Sequence, residues 1–332
     1  MTRLHDTTAP AAATATSTAV PRHRILVTGG TGFLGQALCS MLLAQGHRLT
    51  LWARSKAKVS QIYGNALNSV TALSDLGPDD AFDAILNLAG EPVLGPRWSE
   101  ARKQVLHGSR SGVTQALVDW VAAARHRPAW LLSASAIGYY GVQAAGDPAA
   151  LSEEAPPQAI FMSELCQRWE RTAQGMAAHG VAVTAMRLGV VMGRQGALPK
   201  MLQPFRLGLG VQMGGGDQML SWIHLDDVLG AVQHLINQWQ ANPAKPPAGA
   251  YNFTAPHPVS QREFTRTACT VLRRPLSVPV PAALLGLMLG EQAALLTEGQ
   301  RVIPQRLLTE GYRFRFERFD AALRDIEHVN PR

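Results

Sequence analysis

The chain has 332 residues and a formal charge of +7, from 31 basic and 24 acidic residues. Its length suits one large core, or a main and a smaller domain, and its composition is ordinary for a soluble globular protein. The basic residues are dispersed, with no run of five or six, so solubility and attraction to a phosphorylated ligand account for the excess and no nucleic-acid partner is expected.

Residues 1–21 are rich in Ala, Thr and Pro. Such a segment buries too little apolar surface to order itself and is expected to be a disordered tail. It has neither the apolar stretch of a secretory signal nor the arginines of a transit peptide. Ile25-Leu26-Val27 then runs into glycines at 29, 30, 32 and 35, and Gln36 to Ala44 puts Leu38, Met41, Leu42 and Leu43 on one helical face. Strand, glycine turn, helix is the context that a dinucleotide fingerprint requires. Gly29 permits a tight turn, Gly32 lets backbone approach a pyrophosphate, and Gly35 lets the helix pack closely. The helix N-terminus would then offer N–H groups and a positive dipole end to the phosphates.

Gly46 ends that helix. A second strand is expected over Arg48–Ala53, polar helix or loop over 54–68, and a short third strand over Ser69–Leu73. Ala84–Gly90 reads as a buried strand, Trp98–Ala124 as helix, Trp130–Ser135 as strand, Phe161–His179 as helix and Val181–Leu188 as strand. This alternation predicts an α/β fold, a Rossmann-like doubly wound parallel sheet. Beyond residue 190 glycines and prolines cluster. Leu198–Leu207 reads as helix, Ser221–Val228 as a strand feeding a helix that ends at Trp239, and Ala250–Phe253 as a strand. The expected division is a Rossmann domain from 22–190 and 221–254, and a smaller, mostly helical C-terminal domain from 191–220 and 255–332. Pro281–Gly290 is apolar but too short to span a bilayer, so it reads as a core or interface helix, and no membrane partner is expected. Tyr312-Arg313-Phe314-Arg315-Phe316 alternates with period two and reads as a packed strand or turn with solvated arginines. Cys39, Cys166 and Cys269 lie far apart without ligand spacing, so no metal site is expected and a reducing, cytoplasmic compartment is.

Several stretches carry a resemblance. Thr28-Gly29-Gly30-Thr31-Gly32-Phe33-Leu34-Gly35 resembles the T-G-x-x-G-x-x-G loop of the extended, epimerase-like class of the short-chain dehydrogenase/reductase superfamily. Asn87-Leu88-Ala89-Gly90 resembles that class's N-x-A-G strand end, Tyr140-Gly141 its Y-G, Met186-Arg187-Leu188 its L-R strand, and the stretch from Trp222 to Val228 its V-D-D-V segment. Gly90-Glu91-Pro92, Arg97-Trp98, the stretch Ser133–Gly141, Trp169-Glu170, Gly290-Glu291 and Pro304–Leu307 are similar to one branch, bacterial "epimerase family" proteins with a C-terminal domain of unknown function. The resemblance implies a nicotinamide dinucleotide held by Thr28 to Gly35 and by Asn87 to Gly90.

The chain departs from that class at its chemistry. The class's Tyr-x-x-x-Lys pair should fall at Phe161 and Leu165, which transfer no protons. None of the tyrosines at 63, 139, 140, 251 and 312 has Lys four residues later. The expected catalytic Ser/Thr position is Ala136, with Ser135 one residue away. Candidate substitutes are Tyr140, Tyr139, Ser135 and Cys166, with Tyr140 expected at the pocket rim by resemblance. Glu91, Arg97, Trp98 and Arg110 read equally as substrate-pocket residues or as a surface turn, and His224 as a structural histidine.

NAD-preferring sites carry an acidic residue about 20 positions after the glycine motif. Here the second strand ends in Trp52-Ala53-Arg54-Ser55-Lys56. Arg54, with Ser55 and Lys56, fits a ribose 2′-phosphate, so NADP(H) is the expected cofactor. Two readings follow: an NADP(H)-dependent oxidoreductase or epimerase-like enzyme on a small or sugar-like substrate with non-standard proton transfer, or a non-catalytic NADP(H)-binding sensor. No motif specifies substrate or oligomeric state.

Overall fold

The computed structural model describes residues 22–77, 79–274 and 277–328, so the expected tail, residues 1–21, lies outside it. The chain begins with β1 (Arg24–Thr28), α1 (Phe33–Ala44), β2 (Arg48–Trp52), α2 (Lys56–Tyr63), β3 (Asn68–Val70) and β4 (Ala84–Asn87). It continues with α3 (Glu100–His107), α4 (Val113–Ala123), β5 (Trp130–Ala136), α5 (Phe161–Gln174), β6 (Ala182–Leu188), β7 (Val190–Met192) and α6 (Leu198–Arg206). Then come β8 (Gly210–Met213), β9 (Met219–Leu220), β10 (Trp222–His224), α7 (Leu225–Ala241), β11 (Gly249–Phe253), β12 (Val259–Ser260) and α8 (Gln261–Val271). The last elements are β13 (Ser277–Val280), α9 (Ala282–Leu289), α10 (Ala294–Thr297), α11 (Gln305–Thr309) and α12 (Phe319–Ile326).

Seven strands form one sheet in the order β11-β6-β5-β4-β1-β2-β3, and all their pairings are parallel. The chain runs outward from β1 to β3, then returns to β4 on the other side of β1. The strand order therefore reverses between β1 and β4, and the crevice beyond their C-terminal ends is where such sheets bind ligands. Both faces are covered, which is why the strands read as almost continuous apolar runs. Ile25, Val27, Leu86 and Leu132 face Leu38, Leu42, Val232 and Leu235 of α1 and α7. Leu26, Ile85, Leu131 and Val183 face Leu117 and Val121 of α4. A second core, away from the sheet, packs Leu202 and Phe205 of α6 against Phe264 of α8 and Phe319 and Leu323 of α12.

The sheet follows the alternation in the sequence; the element ends differ for local reasons. α1 starts at Phe33, because Gly32 is already its extended N-cap. α7 starts at Leu225, because the His224 ring accepts the Asp226 N–H at 3.1 Å. The helix expected over 98–124 is interrupted by one wide π turn at Gly108–Gly112, which turns Arg110 and Ser111 inward. The C-terminal part holds more strand than expected, since β13 pairs with β8 and β12 with β9. The Tyr312–Phe316 stretch pairs with no strand and bends at Arg315. Two of its N–H groups and one hydroxyl are held by a side chain: the fully buried Asp227 carboxylate accepts from Arg315 N at 2.7 Å, Phe316 N at 2.9 Å and the Tyr312 hydroxyl at 3.1 Å.

Asp227 therefore does for this segment what a neighbouring strand would otherwise do. Asp227→Ala removes the acceptor of the Arg315 and Phe316 N–H groups and leaves the Tyr312 hydroxyl only the Asp227 carbonyl, and hydrogen bonds to a charged group contribute about 1.5–3 kcal/mol each. We expect it to lower unfolding free energy by about 3 kcal/mol in urea titrations. A loss indistinguishable from zero would contradict this role.

Candidate functional site

At the C-terminal end of β1 three pieces of backbone touch. Gly29 has φ +69°, and a Cβ there would lie 2.5 Å from the Leu88 carbonyl oxygen beyond β4. A Cβ on Gly35 would lie 2.2 Å from the Gly29 carbonyl oxygen. Neither position admits a side chain. Gly32 differs: it is exposed, and a Cβ there would meet only the Gly29 oxygen, at 3.3 Å. Its free side faces outward, and no side chain caps α1, so the first-turn N–H groups are open to an external acceptor. Gly30 is held from behind by Leu51, and its carbonyl accepts the Tyr63 hydroxyl at 2.5 Å. The Phe33 ring packs where Gly193 and Gly196 have no Cβ, while Leu34 packs against the core.

Two of the expected cofactor residues have their side chains turned away from the crevice. Thr28 Oγ1 donates to Asn87 Oδ1 at 2.6 Å, and Asn87 Nδ2 donates to Thr114 Oγ1 at 2.9 Å and Ser133 Oγ at 3.1 Å. Both are buried. Their side chains tie β1, β4, β5 and α4 together behind the loop, and only their backbone contributes to the crevice wall. Leu88 and Ala89 are partly buried, and the space a side chain would need at Gly90 is filled by Arg110, 3.3 Å away.

Arg54 follows β2 with its side chain 95% exposed, 3.4 Å from Glu91 Oε1. Ser55 caps α2, accepting the Lys58 N–H at 3.2 Å. The first turn of α2 carries Lys56 and Lys58 and no acidic residue. A guanidinium, two lysines and a helix N-terminus thus meet where an anion would be favoured.

The catalytic candidates do not all face the crevice. Tyr140 is 1% exposed, its hydroxyl donating to Asn252 Oδ1 at 2.6 Å and accepting from Arg187 Nη1 at 2.9 Å. Burial pushes its phenol up to about 12, against the pull of Arg187. This corrects the expectation that Tyr140 stands at the pocket rim. Ser135 is also buried, donating to Glu170 Oε1 at 2.6 Å. Cys166 is buried as well, which pushes its thiol up to about 12 and leaves it inert as a nucleophile. Tyr139 is less enclosed. It is half-buried, its ring lies 3.5 Å beneath the Arg187 guanidinium, and its hydroxyl makes no hydrogen bond among the described residues.

These groups share a hub that residue-by-residue reading of the sequence missed. Arg187 forms a two-pronged pair with Glu170, Nε to Oε1 and Nη2 to Oε2, both at 2.9 Å. It also donates to the Glu153 carbonyl at 3.1 Å, while the Glu153 carboxylate accepts from Asn252 N at 2.9 Å and Arg306 N at 3.3 Å. An arginine in the apolar run of β6, one residue from its end, was the available signal, because such a charge persists in a buried place only when paired.

Phe161 and Leu165 lie in an apolar cluster with Leu106, Met162, Val93 and Trp98. Trp98 meets Phe161 edge-on at 5.0 Å, so it packs there and does not form an open wall. Arg97 instead donates to the Leu287 carbonyl at 3.0 Å, Gln292 donates to the Pro96 carbonyl at 2.6 Å, and Lys103 pairs with Glu291 at 3.1 Å. The loop after β4 is thereby held by Leu287 and Gln292, and α3 beside it by Glu291. Arg110 is buried below it, donating to the Glu91 carbonyl at 2.8 Å. His224 is structural, as expected: besides capping α7, its Nε2 lies 3.6 Å from Asp325 Oδ2. Among the described residues no cluster of His, Cys, Asp or Glu is suited to a metal. Nor is any helix there long and apolar enough to cross a membrane.

An uncapped helix after a glycine loop, at the reversal point of a seven-stranded parallel sheet, defines a dinucleotide-fold protein of the extended short-chain dehydrogenase/reductase type. Residues 25–252 match the NAD dependent epimerase/dehydratase family, to which the chain belongs, and residues 280–326 match a domain of unknown function, DUF1731. The human epimerase family protein SDR39U1 is 38% identical over 309 residues, covering 91% of this chain and 99% of the human protein. The epimerase family protein YfhF of Bacillus subtilis is 33% identical over 306 residues, covering 91% of this chain and 97% of that protein. A crystal structure of human SDR39U1 (isoform 2) with NADPH superposes with a TM-score of 0.79 at 34% identity, covering 92% of this chain and 99% of that one. A UDP-galactose 4-epimerase structure, at 18% identity and a TM-score of 0.69 over 92% of this chain and 98% of that one, shares the fold.

Burial raises the phenol pKa of Tyr63, Tyr140, Tyr251 and Tyr312. A raised phenol contributes stability that is complete below the unfolded value of about 10 and is lost as pH climbs toward the folded one. Stability should therefore fall steeply above about pH 10. In Tyr140→Phe that fall should be shallower by about 1.4 kcal/mol per pH unit between about pH 10 and 12, measured from urea midpoints. Parallel pH profiles in the two proteins would show that Tyr140 ionises freely in the native state.

Proposed function

We propose that this chain binds NADP(H) at the loop Thr28–Gly35, with Arg54, Ser55 and Lys56 around the ribose 2′-phosphate. We further propose that it carries out oxidoreductase or epimerase-like chemistry on a small or sugar-like substrate. The observation that carries the reading is the outward-facing Gly32 at an uncapped α1, with the exposed Arg54 at the end of the adjacent strand. The NADPH in the structure of human SDR39U1 supports it. Bound nicotinamide supplies hydride transfer, and the protein supplies orientation and a proton. With Tyr140 and Ser135 engaged, Tyr139 is the phenol free to exchange a proton with a substrate. The Arg187 guanidinium lies over its ring, 3.5 Å from the centroid, and fixes its position beside the Glu170 pair.

The alternative, a non-catalytic NADP(H) sensor, is favoured by one feature. Glu91, which faces Arg54, lies on the loop that Arg97 connects to Leu287 and Pro96 to Gln292, so cofactor charge at Arg54 has a route to the C-terminal part. Oxidation of NADPH by a panel of carbonyl compounds separates the two readings.

Wild type should bind NADPH one to two decades more tightly than NADH, since a charge-assisted contact contributes about 1.5–3 kcal/mol, and Arg54→Glu should erase the difference. Gly32→Val should abolish binding of both cofactors with the fold retained by circular dichroism, because its Cβ meets only one protein atom, 3.3 Å away. Equal affinities in wild type, unmoved by Arg54→Glu, would sink the NADP(H) assignment. In a turnover assay, Tyr139→Phe should cost on the order of 10²–10⁴ in rate with NADPH affinity unchanged. Full activity in that variant would exclude Tyr139 as the proton-transfer residue.

A further inference from the structure

A second cleft, of about 410 Å³, opens at the opposite end of the sheet, lined by Arg24, Arg48, Thr50, Asn68, Asp80 and Phe82. Arg24 and Arg48 begin β1 and β2 and are direct register partners, and Thr50 is the partner of Asn68 on β3. Register partners share a face of the sheet, as do residues two apart on a strand, so all four side chains point the same way. The two arginines thus stand side by side on strands about 4.8 Å apart, an arrangement that is repulsive unless an anion joins it.

Asp80 lines the cleft and Asp83 lies at the Arg24 backbone, but no carboxylate among the described residues contacts either guanidinium. Among the described residues neither guanidinium is paired with a carboxylate or donates a hydrogen bond; the Arg24 guanidinium only lies over the Phe82 ring, at 5.8 Å. The neighbouring acids are engaged elsewhere. Asp83 accepts the Arg24 backbone N–H at 2.6 Å, Asp79 pairs with Arg125 at 3.0 Å, and Asp80 accepts the Gly77 N–H at 2.8 Å. Two adjacent guanidinium forks match the charge and oxygens of a phosphate dianion, and the Thr50 hydroxyl and Asn68 amide add neutral donors.

We infer that this cleft binds a phosphate-bearing small molecule through Arg24 and Arg48, with Thr50 and Asn68 completing its hydrogen bonds. The site is separate from the glycine loop, which lies at the other end of β1, roughly 13 Å along the strand.

Isothermal titration of the full chain with inorganic phosphate, at constant ionic strength and with or without NADPH, tests this in wild type, R24Q/R48Q, R24K/R48K and R54E. Saturable binding is expected in wild type and R54E, unchanged by NADPH. It should be at least tenfold weaker in R24Q/R48Q and intermediate in R24K/R48K, which keeps the charges but not the forks. R24Q/R48Q should also melt no lower than wild type without phosphate, since the repulsion is gone. Three results would each overturn the inference: no saturable binding in wild type, equal affinity in R24Q/R48Q, or competition by NADPH or loss in R54E, which would place the phosphate at the glycine loop. A chain that fails to bind NADPH shows this in its own titration and leaves the Arg24/Arg48 comparison standing.

Discussion

Arg187 is a buried cation one residue from the C-terminal end of β6, and the end of the sheet that carries the candidate site is arranged around keeping it charged. Burial works against the charge; the Glu170 carboxylate and then the Tyr140 hydroxyl outweigh it, raising the guanidinium above the ordinary arginine range. Losing one partner of such a pair leaves an uncompensated buried charge, which costs more than the intact pair contributes. The neighbours are therefore fixed with it. Glu170 holds Ser135, Tyr140 holds Asn252, and the Glu153 carbonyl completes the set. Residues from β5, α5, β6 and β11 are positioned by one planar group, which leaves the Tyr139 hydroxyl as the phenol at this end of the sheet that the described hydrogen bonds do not restrain.

The sheet was legible because its causes are local. Apolar runs bounded by glycines produce buried strands, and alternation with amphipathic helices allows few topologies. The glycine loop was legible for a stronger reason: Gly29 and Gly35 sit where backbone meets backbone, so no other residue fits. What sequence reading missed depended on partners far along the chain. The unpaired Tyr312–Phe316 stretch is held by a carboxylate 85 residues or more away, at Asp227. The π turn at Gly108–Gly112 exists in a context where Arg110 is drawn inward to the Glu91 carbonyl. Local propensity carries no information about either contact.

The site divides the same way. Residues that act through backbone, from Gly29 to Gly35, are read from spacing. Residues that act through side chains are not, because spacing does not say which way a side chain turns. Tyr139 and Tyr140 are adjacent in sequence, yet one ring lies flat against Arg187 while the other drives its hydroxyl into the interior toward Asn252. The single 3-10 turn at Ile137–Tyr140 sets that difference. Thr28 and Asn87 match a motif and stand at strand ends facing the crevice, but their hydrogen bonds point back into the protein.

The missing tyrosine–lysine pair is more than two substitutions. A lysine at 165 would enter a site that is 1% exposed, between Leu106 and Met162, with its charge desolvated and no carboxylate among the residues of that cluster. A tyrosine hydroxyl at 161 would emerge from a ring already packed edge-on against Trp98. The wall that elsewhere in the superfamily handles protons is here an apolar contact, sealed by the loop after β4. That loop is in turn held down by the Arg97–Leu287 and Gln292–Pro96 contacts, with Lys103 of α3 paired to Glu291 beside it. The C-terminal part and the loss of the pair are thus one structural arrangement. Once the loop is clamped and Trp98 set against Phe161 of α5, the two positions that would carry the pair are closed by apolar packing.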